Sequence, residues 1–181
     1  VGKNTTLSSD LDLSDKGGKI IINKNEEEKP DENIKPLAGY SNIRISNNNA
    51  VDISSDLDSF KSLTEGTIIA RFDNANKSGI QSIIGIGNEN SANTHFHLYT
   101  NGDKVGFEIR NGSNIATPAA NVTLNNGINT LALKVTNGEG YKVFVNGTMI
   151  IDLKDSNARF LDAIDNINKK DDTMPFGIST D

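Results

Sequence analysis

The sequence predicts an all-β fold, a two-sheet antiparallel β-sandwich with one short helix, and three observations predict it. Several short runs alternate apolar and polar residues at period 2, the pattern of a strand with one buried face. Clusters of Asn, Asp, Ser, Thr and Gly separate these runs, and the pairs Asn101-Gly102 and Asn146-Gly147 stand where tight hairpin turns belong. Helical spacing is scarce.

Taken in order, Val1 to Leu13 is a polar lead-in that could carry a strand, and Lys19 to Asn23 reads as a short apolar strand. Residues 23–35, NKNEEEKPDENIK, are so polar and charged that a solvated loop is the reading. From Ala38 to Ile53 two strands are expected, one around Ile43 and Ile45 and one opening at Ala50, with a turn at Asn47 to Asn49. Leu57, Phe60 and Leu63 then space a short helix within 54–63.

GTIIARF, Gly66 to Phe72, is a strand with Ile68, Ala70 and Phe72 on one face and Thr67, Ile69 and Arg71 on the other, so Arg71 points outward. A loop over 73–79 leads to an apolar strand, Gln81 to Ile86. The hairpin HFHLYTNGDKVGFEIR, His95 to Arg110, follows. Phe96, Leu98, Val105, Phe107 and Ile109 face the core, which sends Glu108 and Arg110 out of the same opposite side. A long polar loop is expected over 111–121, with brief pairing at Val122 to Leu124. Thr130 to Thr136 is a strand, and Tyr141 to Val145 meets Thr148 to Leu153 across Asn146-Gly147. Phe160 to Ile167 is one helical turn or a loop, and Phe176 to Thr180 closes the fold. Roughly ten short strands result, a number that suits a sandwich.

At 181 residues and 19.5 kDa the chain is expected to form a single domain over residues 1–181. It starts at Val1 without a signal-peptide pattern, which suggests a fragment of a larger protein. The net charge of -6 and the lack of clustered Lys and Arg argue against nucleic acid and anionic membranes as partners. No apolar run is long enough for membrane insertion. Cysteine is absent, which removes disulfides, thiolate metal sites and a Cys nucleophile and is compatible with secretion.

Glycoside hydrolysis needs two carboxylates about 5 to 10 Å apart. Glu108 has Gly106 and Arg110 at its same-face neighbours instead, and the arginine favours an ionised acceptor over a proton donor. A hydrolase using Glu108 is therefore the lesser reading. His95 and His97 could share a metal, but exposed strand histidines seldom do, and no cofactor is expected. Anion recognition fits these residue types better, because a guanidinium donates paired hydrogen bonds to a carboxylate. If the strands of Arg71 and Arg110 are neighbours in one sheet, both could converge on one carboxylate while Glu108 accepts from hydroxyl or amide groups. On the residues alone, an Arg110–Glu108 pair on a solvated face explains the pattern equally well.

The ordered set GTIIARF, GIQSIIGIGN (Gly79 to Asn88), the His95–Arg110 hairpin, LALKV (Leu131 to Val135), GYKVFVNG (Gly140 to Gly147) and FGIST resembles carbohydrate-binding module family 40, the sialic-acid-binding lectin-like domain of bacterial sialidases. The likeness runs from Gly66 to Thr180. It implies a concanavalin A-like jelly roll that binds terminal sialic acid and performs no chemistry. By resemblance, Arg71 and Arg110 would take the carboxylate, Glu108 would be the acidic contact, Tyr141 the aromatic one, and Gln81 and His95 further contacts. Period 2 puts Tyr141 with Val143 and Val145, so a bend at Gly140 would be needed to present it. The resemblance further implies sialylated glycans as partners, a catalytic sialidase domain in the parent chain, a monomer, and a secreted or cell-surface location. An adhesion or spacer domain without a sugar site is the alternative, and it predicts that Arg71 and Arg110 lie far apart.

Overall fold

A computed structural model of the chain describes residues 18–23, 38–43, 51–52, 54–73, 79–88, 90–167 and 177–178. The expected lead-in over 1–13, the turn at Asn47 to Asn49 and all of the charged loop except Asn23 lie outside these residues.

Among the described residues, six strands form one sheet: β1 (Gly18–Asn23), β2 (Ala38–Ile43), β4 (Gly66–Asp73), β10 (Ile128–Thr136), β11 (Gly140–Val145) and β12 (Thr148–Lys154), in the order β12-β11-β10-β4-β1-β2. Seven form the other: β3 (Val51–Asp52), β5 (Ile80–Asn88), β6 (Ser91–Asn101), β7 (Lys104–Asn111), β8 (Ser113–Ala116), β9 (Ala119–Asn121) and β13 (Gly177–Ile178). Their order is β3-β13-β5-β6-β7-β8, and β9 also pairs with β7. All of these pairings are antiparallel, as expected for a sandwich.

The core lies between the sheets. From the six-stranded sheet it takes Ile68, Ala70, Leu131, Leu133, Val135, Tyr141 and Val143; from the other, Ile84, Ile86, Phe96, Leu98, Val105, Phe107 and Ile109. The Phe107 and Tyr141 rings meet across the layers at 5.2 Å between centroids, an aromatic contact that ties β7 to β11. A 3-10 turn at Ser54–Asp56 runs into the helix α1 (Leu57–Phe60), and the expected spacing holds because Leu57, Phe60 and Leu63 are all buried. A second 3-10 turn, Leu161–Ala163, forms where one helical turn or a loop was expected, and Phe160 beside it packs edge-on against Phe96 at 5.6 Å.

Both expected hairpins form. Between β11 and β12, Asn146 and Gly147 have φ of 50° and 82°, the two positive values a type I′ turn requires. Between β6 and β7 the two loop residues are Gly102 and Asp103, one step later than the Asn-Gly signal, because Asn101 pairs with Lys104. Gly102 supplies the single positive φ, 58°, at the first loop position.

The loop expected over 111–121 instead holds β8 and β9. Together they form one interrupted edge along β7, broken at Pro118, which has no N–H to offer a ladder; its carbonyl still accepts from Phe107 N at 3.2 Å. Strands of four and three residues are too short to show a period. Val122 to Leu124 form no strand, although Val122 N donates to the Asp103 carbonyl at 2.8 Å.

Candidate functional site

Antiparallel register places facing residues on the same side of a sheet. On the outer side of the seven-stranded sheet, His95 faces Arg110, His97 faces Glu108 and Tyr99 faces Gly106 across β6 and β7. On the β5 flank the facing residues are Gly87, Gly85 and Ser82. The inward neighbours Phe96, Leu98, Phe107 and Ile109 are fully buried, which fixes the outward set by alternation.

Glu108 is the hub of this face. Arg110 Nε donates to its Oε2 at 2.9 Å, and His95 Nε2 stands 3.2 Å from the same oxygen. The three side chains are 25%, 29% and 11% exposed for Glu108, Arg110 and His95 respectively, so the cluster is shielded but reachable. Burial alone would raise the Glu108 carboxyl; the hydrogen bonds and charges of His95 and Arg110 outweigh it and hold the group below the usual carboxylate value. The cluster spends Oε2 and Nε on itself. Glu108 Oε1 and the terminal nitrogens of Arg110 take no part in these two contacts and keep acceptor and donor capacity.

Tyr99 completes the face, and sequence reasoning did not select it. A Cβ on Gly106 would stand 2.7 Å from the Tyr99 hydroxyl and 2.8 Å from its Cζ, so the ring lies in the space that this glycine leaves empty. Its other neighbour is His97, with ring centroids 5.1 Å apart. Burial raises the Tyr99 hydroxyl, the Glu108 charge adds to that, and Arg110 opposes it, which places the phenol within the field of the pair. The signal was available: Tyr99 shares the outward alternation of His95 and His97. His97 Nε2 in turn bonds Ser82 Oγ.

The structure sets four of the expected contacts in other surroundings than those expected. Arg71 lies on β4 of the six-stranded sheet, facing outward with Thr67 and Ile69 while Ile68 and Ala70 fill the core. It therefore stands on the opposite outer face from Arg110, with two sheets about 10 Å apart between them, and the two guanidinium groups do not converge. Tyr141 is 0% exposed, since no bend at Gly140 turns it out. Its hydroxyl donates to the Arg159 carbonyl at 2.9 Å and accepts from Arg159 N at 3.0 Å, so it is a core clamp. Burial raises that hydroxyl, against the Arg159 hydrogen bond, with Asp155 and Asp162 adding to the rise. Gln81 pairs with Thr100, whose side chain faces the core, so register sends Gln81 to the inner side of the sheet. His95 is largely buried, and its ring nitrogens stand against Glu108 Oε2 and the Ala92 carbonyl.

Among the described residues, no group of three or more His, Cys, Asp or Glu is placed to hold a metal ion, and no helix is long and apolar enough to cross a membrane.

The model of the "Sialidase, N-terminal domain" family matches residues 34–172. The curated "Anhydrosialidase" of Macrobdella decora is 32% identical over 120 residues, which is 60% of this chain and 16% of that protein. This chain thus spans less than a fifth of that relative. Among solved structures, the CBM40 of Ruminococcus gnavus IT-sialidase has a TM-score of 0.65 at 31% identity, covering 77% of this chain and 85% of that one. The same CBM40 bound to α2,3-sialyllactose gives a TM-score of 0.65 at 28% identity, covering 76% of this chain and 84% of that one. With α2,6-sialyllactose bound it gives 0.64 at 28% identity, with the same coverage.

Proposed function

Since this chain belongs to the sialidase N-terminal domain family, with a CBM40-like β-sandwich, we propose that it is a noncatalytic module that binds terminal sialic acid on the outer face of the seven-stranded sheet. The observation that carries the reading is the Glu108–Arg110 pair, which uses only one oxygen and one nitrogen internally and leaves the rest for a ligand. The remaining guanidinium N–H groups of Arg110 take the sialic-acid carboxylate, because paired parallel donors match its two oxygens. Glu108 Oε1 accepts from the sugar's hydroxyl or amide groups, and Tyr99 offers its ring edge and hydroxyl beside them. A Glu108 held ionised by His95 and Arg110 is a poor proton donor, which favours recognition over hydrolysis.

One arginine in place of two, on a protein of net charge -6, gives a weak site. A dissociation constant on the order of 10⁻⁵ to 10⁻³ M is expected. Such a module works by tethering, and we assign its parent chain as a secreted or cell-surface sialidase that it holds near sialylated glycans. The separation of Arg71 from Arg110 favours the second reading, a spacer domain without a sugar site. Titration with sialyllactose against lactose decides between them. Selective binding of the sialylated sugar supports the module; equal binding, or none to either at millimolar ligand, leaves the spacer.

A further inference from the structure

Both ring nitrogens of His95 face acceptors. Nε2 is 3.2 Å from Glu108 Oε2, and Nδ1 is 3.0 Å from the Ala92 carbonyl oxygen. An ionised carboxylate and a backbone carbonyl only accept, whereas a neutral imidazole carries a single N–H. A neutral ring therefore satisfies one contact and turns a lone pair toward the other oxygen. Only the imidazolium donates to both. With its side chain 11% exposed, the ring has little water to relieve the mismatch.

The surroundings are simple enough to follow the consequence. From β7 the ring meets Glu108, and Arg110 is its cross-strand neighbour; the facing residue on β5 is Gly87, which brings no side chain. On its own strand the next ring on that side is His97, and Asp165 is held at this end of the sheet by Asn88 and Asn111. Glu108 Oε2 is shared between His95 and Arg110 Nε, so whatever turns His95 away from that oxygen also loosens the partner of Arg110.

We infer that His95 is a positioning residue that sets Glu108, and through it Arg110, and that it links binding at this face to proton uptake, with an anionic ligand held more tightly when the ring is an imidazolium. This rests on the reading of the face as a sialoside site, and it goes beyond that reading by making the site sensitive to pH through a buried side chain that does not touch the sugar.

The test compares wild type with His95→Gln, which retains an N–H donor for Glu108 but does not titrate. Calorimetric titration with 3′-sialyllactose between about pH 5.5 and 8 should show wild-type affinity falling about threefold to tenfold toward the alkaline end, with His95→Gln flat over the same range. A pH dependence that persists in His95→Gln points to His97 and overturns the inference, as does a flat wild-type profile. A ligand-free measurement runs alongside on the wild type. The Arg110 Nε–H resonance should follow the same titration curve as the His95 ring signals; independence of the two overturns the positioning role. If sialyllactose binds at no pH while Arg110 Nε still follows His95, the positioning role stands and the sialoside reading falls.

Discussion

At the residue scale, Arg110 and Arg71 separate the site from the rest of the surface. Both are outward strand residues, but only Arg110 has Glu108 and His95 beside it. Arg110→Ala should abolish sialyllactose binding in calorimetry while leaving the melting temperature nearly unchanged, since a partly exposed side chain contributes little to folding. Arg71→Ala, on the other sheet, should bind as wild type does. Tyr141 makes the opposite case. Tyr141→Phe deletes the donor to the Arg159 carbonyl and the acceptor for its N–H, two part-buried bonds that tie this backbone to β11. It should cost about 1–3 kcal/mol in denaturant unfolding and leave sialyllactose affinity intact. Because burial raises the Tyr141 hydroxyl, its stabilisation is complete below the ordinary tyrosine value and is lost as pH rises through the raised one. The phenylalanine variant should therefore show a weaker alkaline fall in stability.

At the element scale, two glycines fix what the strands can present. Gly140 opens β11 at φ 141°, and a Cβ there would lie 2.0 Å from the Leu153 carbonyl oxygen on β12. Backbone cannot step aside cheaply, so Gly140→Ala should cost on the order of 3 kcal/mol or more by chemical denaturation, through strain and a broken β11–β12 register. Gly106 is crowded by a side chain instead. In Gly106→Ala the new methyl must push the Tyr99 ring off its seat, which a rotamer change can absorb. The expected result is a modest loss of stability with a clear loss of sialyllactose affinity. Equal affinity in Gly106→Ala would remove Tyr99 from the site.

For the whole molecule, the sandwich puts His95, Tyr99, Glu108 and Arg110 on one outer face and Arg71 on the other. The proposed site, built on one arginine, is expected to bind weakly alone and to gain by repetition. Two copies joined by a flexible linker should hold a densely sialylated surface at least about tenfold more tightly than one copy, with no change in the affinity for soluble sialyllactose. No gain on linking would argue against tethering as the purpose of the domain.

What could be read from the sequence is what local geometry controls. Period-2 alternation set which side chains of the His95–Arg110 hairpin point inward, and Asn146-Gly147 set a tight turn, because both depend on residues within a few positions of one another. Glu108 and Arg110 were legible as one outward pair for the same reason. The short alternating strands and their turns pointed to a sandwich, and the family likeness to its jelly-roll form. It did not place Arg71, Tyr141 or Gln81, whose surroundings come from distant strands. Alternation fixes a residue's face on its own strand and says nothing about which sheet receives that strand. Only the tertiary structure put β4 and β7 in different layers, turned Tyr141 onto Phe107 and Arg159, and laid Tyr99 across the gap at Gly106. Those placements follow from burying the whole core at once, with long-range pairings that no short stretch of sequence encodes.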